Sequence, residues 1–93
     1  MLETFTADTF RPLLEERFEL VVDDETRFDL ELAEVTESGT PGAARRSQFA
    51  VVFSGPAGPT LPQRIYRLEH PKLGAFDIFL VPIAAGRYEA IFT

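Results

Sequence analysis

Few side chains in this sequence could do chemistry, and His70 comes first because it is the only histidine. A Ser-His-Asp arrangement would need Ser38, Ser47 or Ser54 as nucleophile, and none stands in a recognisable nucleophile turn. A metal site would need a second ligand at a short spacing from His70, and none is present. The structural alternative is that Glu69 and His70 hydrogen-bond backbone groups where a strand meets a turn. We favour this structural role, and keep a hydrolase that uses His70 as the weaker alternative.

Two charged segments invite a ligand interpretation. The run Asp23-Asp24-Glu25, with Asp29 and Glu31 nearby, lacks the alternating spacing and closing glutamate of a calcium loop, which favours a solvated turn. The pair at 45–46, Arg-Arg, lies in a Gly-rich stretch without a phosphate-binding glycine pattern. The chain has no cysteine, which excludes thiolate chemistry. We therefore predict no catalytic residue, no metal site and no cofactor, and hence a protein that is not an enzyme.

Composition and charge narrow the classes of partner. Fifteen acidic residues against nine basic ones give a net charge of -6, which disfavours nucleic acids and anionic membranes. No apolar run approaches the roughly 18 residues that a membrane span needs, and the N-terminal residues lack the pattern of a signal peptide. We expect synthesis in the cytoplasm, with export inside a larger assembly left open. The 93 residues are expected to form a single domain over 1–93.

The elements that must position these residues begin with a short helix. The sequence predicts it over 7–15, with Thr6 as N-cap and a break near Pro12, which lacks the amide proton of a regular helix. Phe5 and Phe10 have the spacing of a hydrophobic staple. We expect the helix to cover one end of a sheet with its apolar residues, namely Phe10, Leu13 and Leu14.

Six strands follow, with connections of hairpin length, so the predicted fold is all-β with antiparallel pairing. Their predicted bounds are 17–23, 26–35, 48–54, 64–69, 75–82 and 87–92. A slip in the apolar alternation near Ala33 and Glu34 predicts a bulge, and residues 37–47 predict a mobile loop. Strands 48–54 and 75–82 are apolar at both parities, so we expect both of their faces to be covered. A small barrel and a two-layer sandwich both satisfy this pattern. We also expect edge strands to be available for β-augmentation.

Residues over nearly the whole chain resemble a family of uncharacterised bacterial proteins of about this length, catalogued as a domain of unknown function. The matching residues are Leu2, Phe5, Thr9, Phe10, Pro12, Leu13, Phe18, Asp23, Asp24, 30–32, 53–56, 61–63, 65–70, Leu73, Gly74, 79–83 and 87–92. The resemblance lends no catalytic residues. It implies an accessory protein of a tail-like or fibre-like assembly, because such proteins tend to be encoded near phage-tail-collar-like or microcystin-dependent-type proteins. Where the family's hairpin turn has glycine, this chain has Glu25, which disfavours a type I′ turn there.

One set of polar residues is the candidate protein-contact surface. If strands 64–69 and 87–92 flank strand 75–82, their arginines and tyrosines form stripes of residue types that are enriched at interfaces. The set comprises Tyr66, Arg67, Glu69, Arg87, Tyr88 and Glu89. Cross-strand pairing on a solvated face is the alternative for these residues. We predict a non-enzymatic assembly or adaptor module that docks onto a larger protein or filament encoded nearby, with a homo-oligomer left open. A small-ligand-binding β-barrel is the alternative function.

Overall fold

Alternating apolar residues force the chain into strands that bury one face, and the computed structural model closes those strands into a barrel. It describes residues 5–38, 48–56 and 60–92. The all-β prediction with antiparallel pairing is confirmed. Of the two architectures that the pattern allowed, the barrel is the one that forms.

The N-terminal segment is less helical than predicted. The α-helix α1 covers only Ala7–Phe10 and continues as a 3₁₀ turn over Arg11–Leu13. Thr6 is the N-cap, as predicted, and its amide donates to Thr9 Oγ1 at 2.9 Å. The predicted break near Pro12 is confirmed, since Pro12 lies in the 3₁₀ turn and cannot donate the hydrogen bond that would extend the α-helix. The predicted end at 15 is wrong, because the helical segment ends at Leu13.

A positive φ of 71° at Glu15 then turns the chain into the first strand. The amide of Glu15 donates to the Leu32 carbonyl at 2.8 Å, and the Leu32 amide returns a bond to Glu16 at 3.1 Å. These two bonds attach the end of the helical segment to the second strand. The segment is thereby held against the barrel before the first strand begins.

The six strands lie close to their predicted positions. Their bounds are β1 Arg17–Val21, β2 Arg27–Ser38, β3 Gln48–Ser54, β4 Arg64–His70, β5 Gly74–Ala84 and β6 Arg87–Phe92. Strand β1 ends two residues before its predicted end at 23. Strand β2 runs three residues past 35 and so includes the first two residues of the predicted mobile loop 37–47. The rest of that loop, with the arginine pair at 45–46, lies outside the described residues.

Two local predictions concerning β2 are confirmed. The β2–β3 register shifts between Leu32 and Glu34, which places a bulge where the alternation slips. In the β1–β2 turn, Asp23 Oδ1 accepts the amides of Glu25 at 2.8 Å and Thr26 at 2.9 Å. Glu25 does not have a positive φ, so the turn is not of type I′. The Asp23 side chain adds its bonds to the backbone bonds that Asp23 and Thr26 exchange at 3.3 Å.

The barrel consists of two antiparallel meanders, β1-β2-β3 and β4-β5-β6. The strand order around it is β1-β2-β3-β6-β5-β4, because β3 pairs with β6 and β4 pairs with β1. Every described strand therefore has a neighbour on both sides. The expectation of edge strands free for strand addition is wrong, since closure satisfies the edges within the chain.

The interior of the barrel is filled by aromatic and aliphatic side chains. The rings of Phe49 and Phe92 stack across the β3–β6 pair, with their centroids 4.4 Å apart. The centroid of the Phe10 ring in α1 lies 6.0 Å from that of Phe49 and 5.6 Å from that of Phe92. The ring of Phe5 packs edge-on against that of Phe10, with centroids 5.5 Å apart, as the predicted hydrophobic staple requires. The helical segment thus covers one barrel end, as expected, through Phe10 and Leu13, which are buried, whereas Leu14 is exposed.

The strand predicted to be covered on both faces, β5, is covered only on its inner face. Phe76, Ile78 and Leu80 are buried, whereas Phe79 and Ile83 are about half exposed. The prediction is wrong because a single barrel has no second layer of structure to cover its outer surface. For β3 the same prediction holds better, since Val52 on its outer face is also buried.

Candidate functional site

The six predicted contact residues divide by the direction of their side chains. Strands β4 and β6 do flank β5, as predicted. Because side chains alternate across a strand, Tyr66 and Tyr88 face the interior and are buried. The prediction that these two tyrosines lie on an outer surface is wrong. Their parity matches that of Leu68 and Ala90, which are also buried, and this signal was present in the sequence.

The hydroxyl groups of Tyr66 and Tyr88 both form hydrogen bonds with backbone groups. The Tyr66 hydroxyl donates to the Pro62 carbonyl at 2.5 Å, and the Tyr88 hydroxyl accepts the Leu61 amide at 3.0 Å. Burial raises the pKa of Tyr66, an effect that the nearby Arg64 guanidinium partly offsets. Together the two hydroxyl hydrogen bonds attach the connection between β3 and β4 to strands β4 and β6.

The charged members of the set lie outside and form ion pairs. Arg67 Nε contacts Glu69 Oε2 at 3.1 Å, and Glu69 Oε1 lies 3.4 Å from Arg27 on β2. Arg27 also bonds Glu19, and that hydrogen bond is the main reason its pKa is raised above the usual arginine value. These pairs join three strands, β4, β1 and β2. Exposed pairs of this kind contribute little stability because water screens them. Their arrangement on three neighbouring strands fits the cross-strand alternative.

The other two charged members lie on β6. Arg87 pairs with Glu34 of β2 across the intervening strand β3. Glu89 faces outward beside Val81 of β5 and Val52 of β3. It forms no ion pair with another described side chain. A role in protein contact stays a prediction for Arg67, Glu69, Arg87 and Glu89.

A group of exposed apolar residues adjoins these charges, and sequence analysis missed it. Ile65 is 63% exposed, Phe79 is 47% exposed and Ile91 is 66% exposed. Ile65 pairs with Phe79 across β4 and β5. We define the apolar face by its outward residues on four adjacent strands, namely Ile65, Phe79, Val81, Ile91 and Ala50.

The pairing of β5 with β6 ends at Val81 and Glu89, so the positions of the two halves of the apolar face follow from counting residues beyond that pair. Phe79 and Ile91 each lie one outward position beyond the Val81–Glu89 pair, on the same side of it. Ile91 is in turn opposite Ala50. The signal that could have identified this face is Asp77, because a charged residue at the parity of Phe79 indicates an outward row.

His70 is buried, and its nitrogens are both engaged. Nδ1 accepts the Lys72 amide at 3.0 Å, and Nε2 lies 2.8 Å from Glu16 Oε1. A ring that accepts at Nδ1 donates from Nε2 to that carboxylate. The predicted bond from His70 to a backbone group is confirmed, whereas Glu69 is instead paired with arginines. His70 forms no hydrogen bond with Ser54, the candidate nucleophile whose side chain the structure describes.

An open groove on the opposite side of the barrel has an acidic lining. Its volume is about 1230 Å³, and its carboxylates are Glu15, Glu19, Asp29, Glu31 and Glu69. Glu19 and Glu69 are paired with Arg27. Over the described parts of the chain, no group of three or more His, Asp or Glu residues is arranged to hold a metal ion.

Comparison with known proteins assigns the chain to a family. A family model described as a domain of unknown function (DUF6916) matches residues 5–92, so the chain belongs to that family over nearly its whole length. No curated protein and no solved structure matches the chain. No helix among the residues that the structure describes is long and apolar enough to cross a membrane.

Proposed function

We propose that this member of the DUF6916 family is a non-enzymatic module that docks onto a larger protein through its apolar face. The observation that carries the proposal is the exposure of Ile65, Phe79 and Ile91 on neighbouring strands of one side of the barrel. Isolated exposed apolar residues are ordinary. A group of exposed apolar residues on neighbouring strands is typical of an interaction surface.

The filled interior supports docking over ligand storage. A ligand-binding barrel needs a cavity of about 300 Å³ or more. Here the interior positions hold side chains that touch one another, such as Phe18 and Phe53 with ring centroids 5.1 Å apart. The small-ligand alternative therefore has less support than a function on the outer surface.

Because the strands form a closed barrel, docking through outward side chains has more support than docking by strand addition. A partner strand cannot be added to the sheet where neighbouring strands already satisfy the backbone. Contact must then come from outward residues, and the apolar face offers the largest ones. The hydrolase alternative finds little support, since His70 is buried and bound to Glu16 and Lys72.

We extend the proposal to the kind of assembly. The resemblance described above implies a tail-like or fibre-like structure, and we propose that the chain is an accessory of such an assembly. It would be synthesised in the cytoplasm and would bind a partner encoded nearby. We do not propose nucleic acids as partners, because a net charge of -6 disfavours binding to phosphate groups.

Site-specific photo-crosslinking tests the proposal. A photoreactive phenylalanine analogue replaces Phe79 in one variant and Asp29 in the control variant. Asp29 is exposed on β2, which is opposite β5 in the strand order. In native cells we expect one crosslinked partner from position 79, none from position 29, and a loss of the product when Ile65→Ser is added. Absence of a product at position 79, or the same product at both positions, would contradict the proposal.

A further inference from the structure

We infer that the partner of the apolar face presents an apolar ridge bordered by lysine or arginine side chains, and is not a second copy of this chain. This inference rests on the proposed docking function and adds the chemistry of the partner. It is carried by two carboxylates that border the apolar face. They are Asp77 on β5, beside Phe79, and Glu89 on β6, beside Val81 and Ile91.

Both carboxylates lack a cationic partner among the described side chains. Asp77 is exposed between the buried residues Phe76 and Ile78. Its cross-strand neighbour is Arg67, but the Arg67 guanidinium is directed to Glu69 at 3.1 Å. Among the described side chains, Asp77 therefore has no ion-pair partner, and it lies one outward position from the half-exposed Phe79.

The cations close to Glu89 are also engaged elsewhere. Arg87, two residues before it on the same face of β6, is bound to Glu34. Arg64, beside Ile65 on β4, lies over the Tyr66 ring at 5.2 Å. Arg67 and Arg87 thus have carboxylate partners and Arg64 contacts an aromatic ring, whereas neither bordering carboxylate forms an ion pair with a described side chain.

Carboxylates of the acidic groove are paired only in part, since Glu31 forms no ion pair with another described side chain. There the outward carboxylates Glu19 and Glu69 share Arg27, and Asp29 lies 3.8 Å from Arg17. Asp77 and Glu89 are distinguished by their position, because these two carboxylates without an ion pair to a described side chain lie next to exposed apolar residues. Complementary potentials across an interface select partners and suppress wrong ones. A basic rim around an apolar ridge is the complement of this surface.

The same charges argue against self-association through this face. Each copy has a net charge of -6. Joining two apolar faces would place the Asp77 and Glu89 carboxylates of both copies in one interface. Like charges opposed across an interface are unfavourable. We expect the chain to be a monomer in solution at neutral pH.

Two synthetic amphipathic peptides test this inference. They share one leucine face, and their polar faces are all lysine in one peptide and all glutamate in the other. We expect the full chain to bind the lysine peptide at least about tenfold more tightly in calorimetry, a difference of about 1.4 kcal/mol. We also expect Phe79→Thr to weaken that binding about tenfold.

Charge-matched variants separate local complementarity from net charge. Asp77→Asn with Glu89→Gln and the control Asp29→Asn with Glu31→Gln each change the net charge from -6 to -4. We expect only the first pair to reduce binding of the lysine peptide, by about tenfold, and to reduce its salt dependence. Equal effects of the two pairs, equal binding of both peptides, or no binding of either peptide would overturn the inference.

Sedimentation equilibrium completes the test. A wild-type dimer that Phe79→Thr dissociates would overturn the inference, because the occupant would then be a second copy. Failure of the docking function itself has a different signature, namely absence of the crosslinked product from position 79. A crosslinked product combined with negative peptide results would therefore retain the function and reject the partner chemistry.

Discussion

Phe76 and Phe79 lie three residues apart on β5, and their substitution tests which face of this strand is inside. Phe76 is 5% exposed, and its ring lies 5.3 Å from Phe5 of the N-terminal segment. Phe79 is directed outward beside Ile65. We expect Phe76→Ala to be strongly destabilising and Phe79→Thr to be mild.

The magnitudes follow from burial. Truncation of a buried phenylalanine to alanine costs about 3–5 kcal/mol, because transfer and cavity terms add. Full burial of such a side chain contributes about 1.5–3 kcal/mol. Since nearly half of Phe79 is already exposed, its replacement loses about half of that, or about 1 kcal/mol. Threonine retains the strand preference of a β-branched residue.

Urea unfolding of both variants at two protein concentrations provides the measurement. Equal slopes against urea would show that the free energies of unfolding are comparable. A loss of 3 kcal/mol or more in Phe79→Thr would refute the assignment of faces. If that loss grew at the higher protein concentration, the apolar face would be covered by a second copy, contrary to the proposals above.

Three further perturbations test the anchoring contacts. Tyr66→Phe removes the bond to Pro62 and should lower the free energy of unfolding at pH 7 by about 1 kcal/mol. Burial raises the pKa of Tyr66 in the folded protein. The contribution of Tyr66 to the free energy of unfolding is therefore fully present below the unfolded tyrosine pKa of about 10, and it is lost as pH rises through the higher folded pKa. Urea titrations from pH 7 upward should show a shallower alkaline loss in Tyr66→Phe. His70→Ala leaves the Lys72 amide without its acceptor and opens space in the core, so we expect a loss of about 2–4 kcal/mol in thermal unfolding at pH 7. Amide bonds from the β1–β2 turn lower the pKa of Asp23, so its contribution is present above the unfolded pKa of about 3.9 and is lost as pH falls through the folded value. Asp23→Asn should remove that acid dependence in unfolding measured from pH 5 downward.

Much of the local structure could be predicted from short-range patterns. The alternation around Phe18 and Leu30 placed β1 and β2, and the slip near Ala33 located the bulge. Thr6 was identified as an N-cap because capping depends on residues within one turn. For the same reason, the bond between His70 and the backbone of its turn followed from the sequence.

The candidate site was harder to predict because it depends on which face of each strand is inside. Tyr66 and Tyr88 were assigned to the surface from their residue type, although their parity places them inside. Phe79 was assigned to the core because it is apolar, although Asp77 shares its parity. A small barrel has one interior, so parity decides burial where residue type is ambiguous.

The sequence by itself determined an all-β chain with six antiparallel strands, a capped helical segment and no cysteine chemistry, because these depend on composition and local periodicity. Only the tertiary structure decided that the sheet closes, through the β1–β4 and β3–β6 pairs that join residues distant in sequence. Closure removes the edges and gives every strand one wet face. That is the physical reason why Phe79, in a strand predicted to be covered on both faces, lies on the outer surface with Ile65 and Ile91.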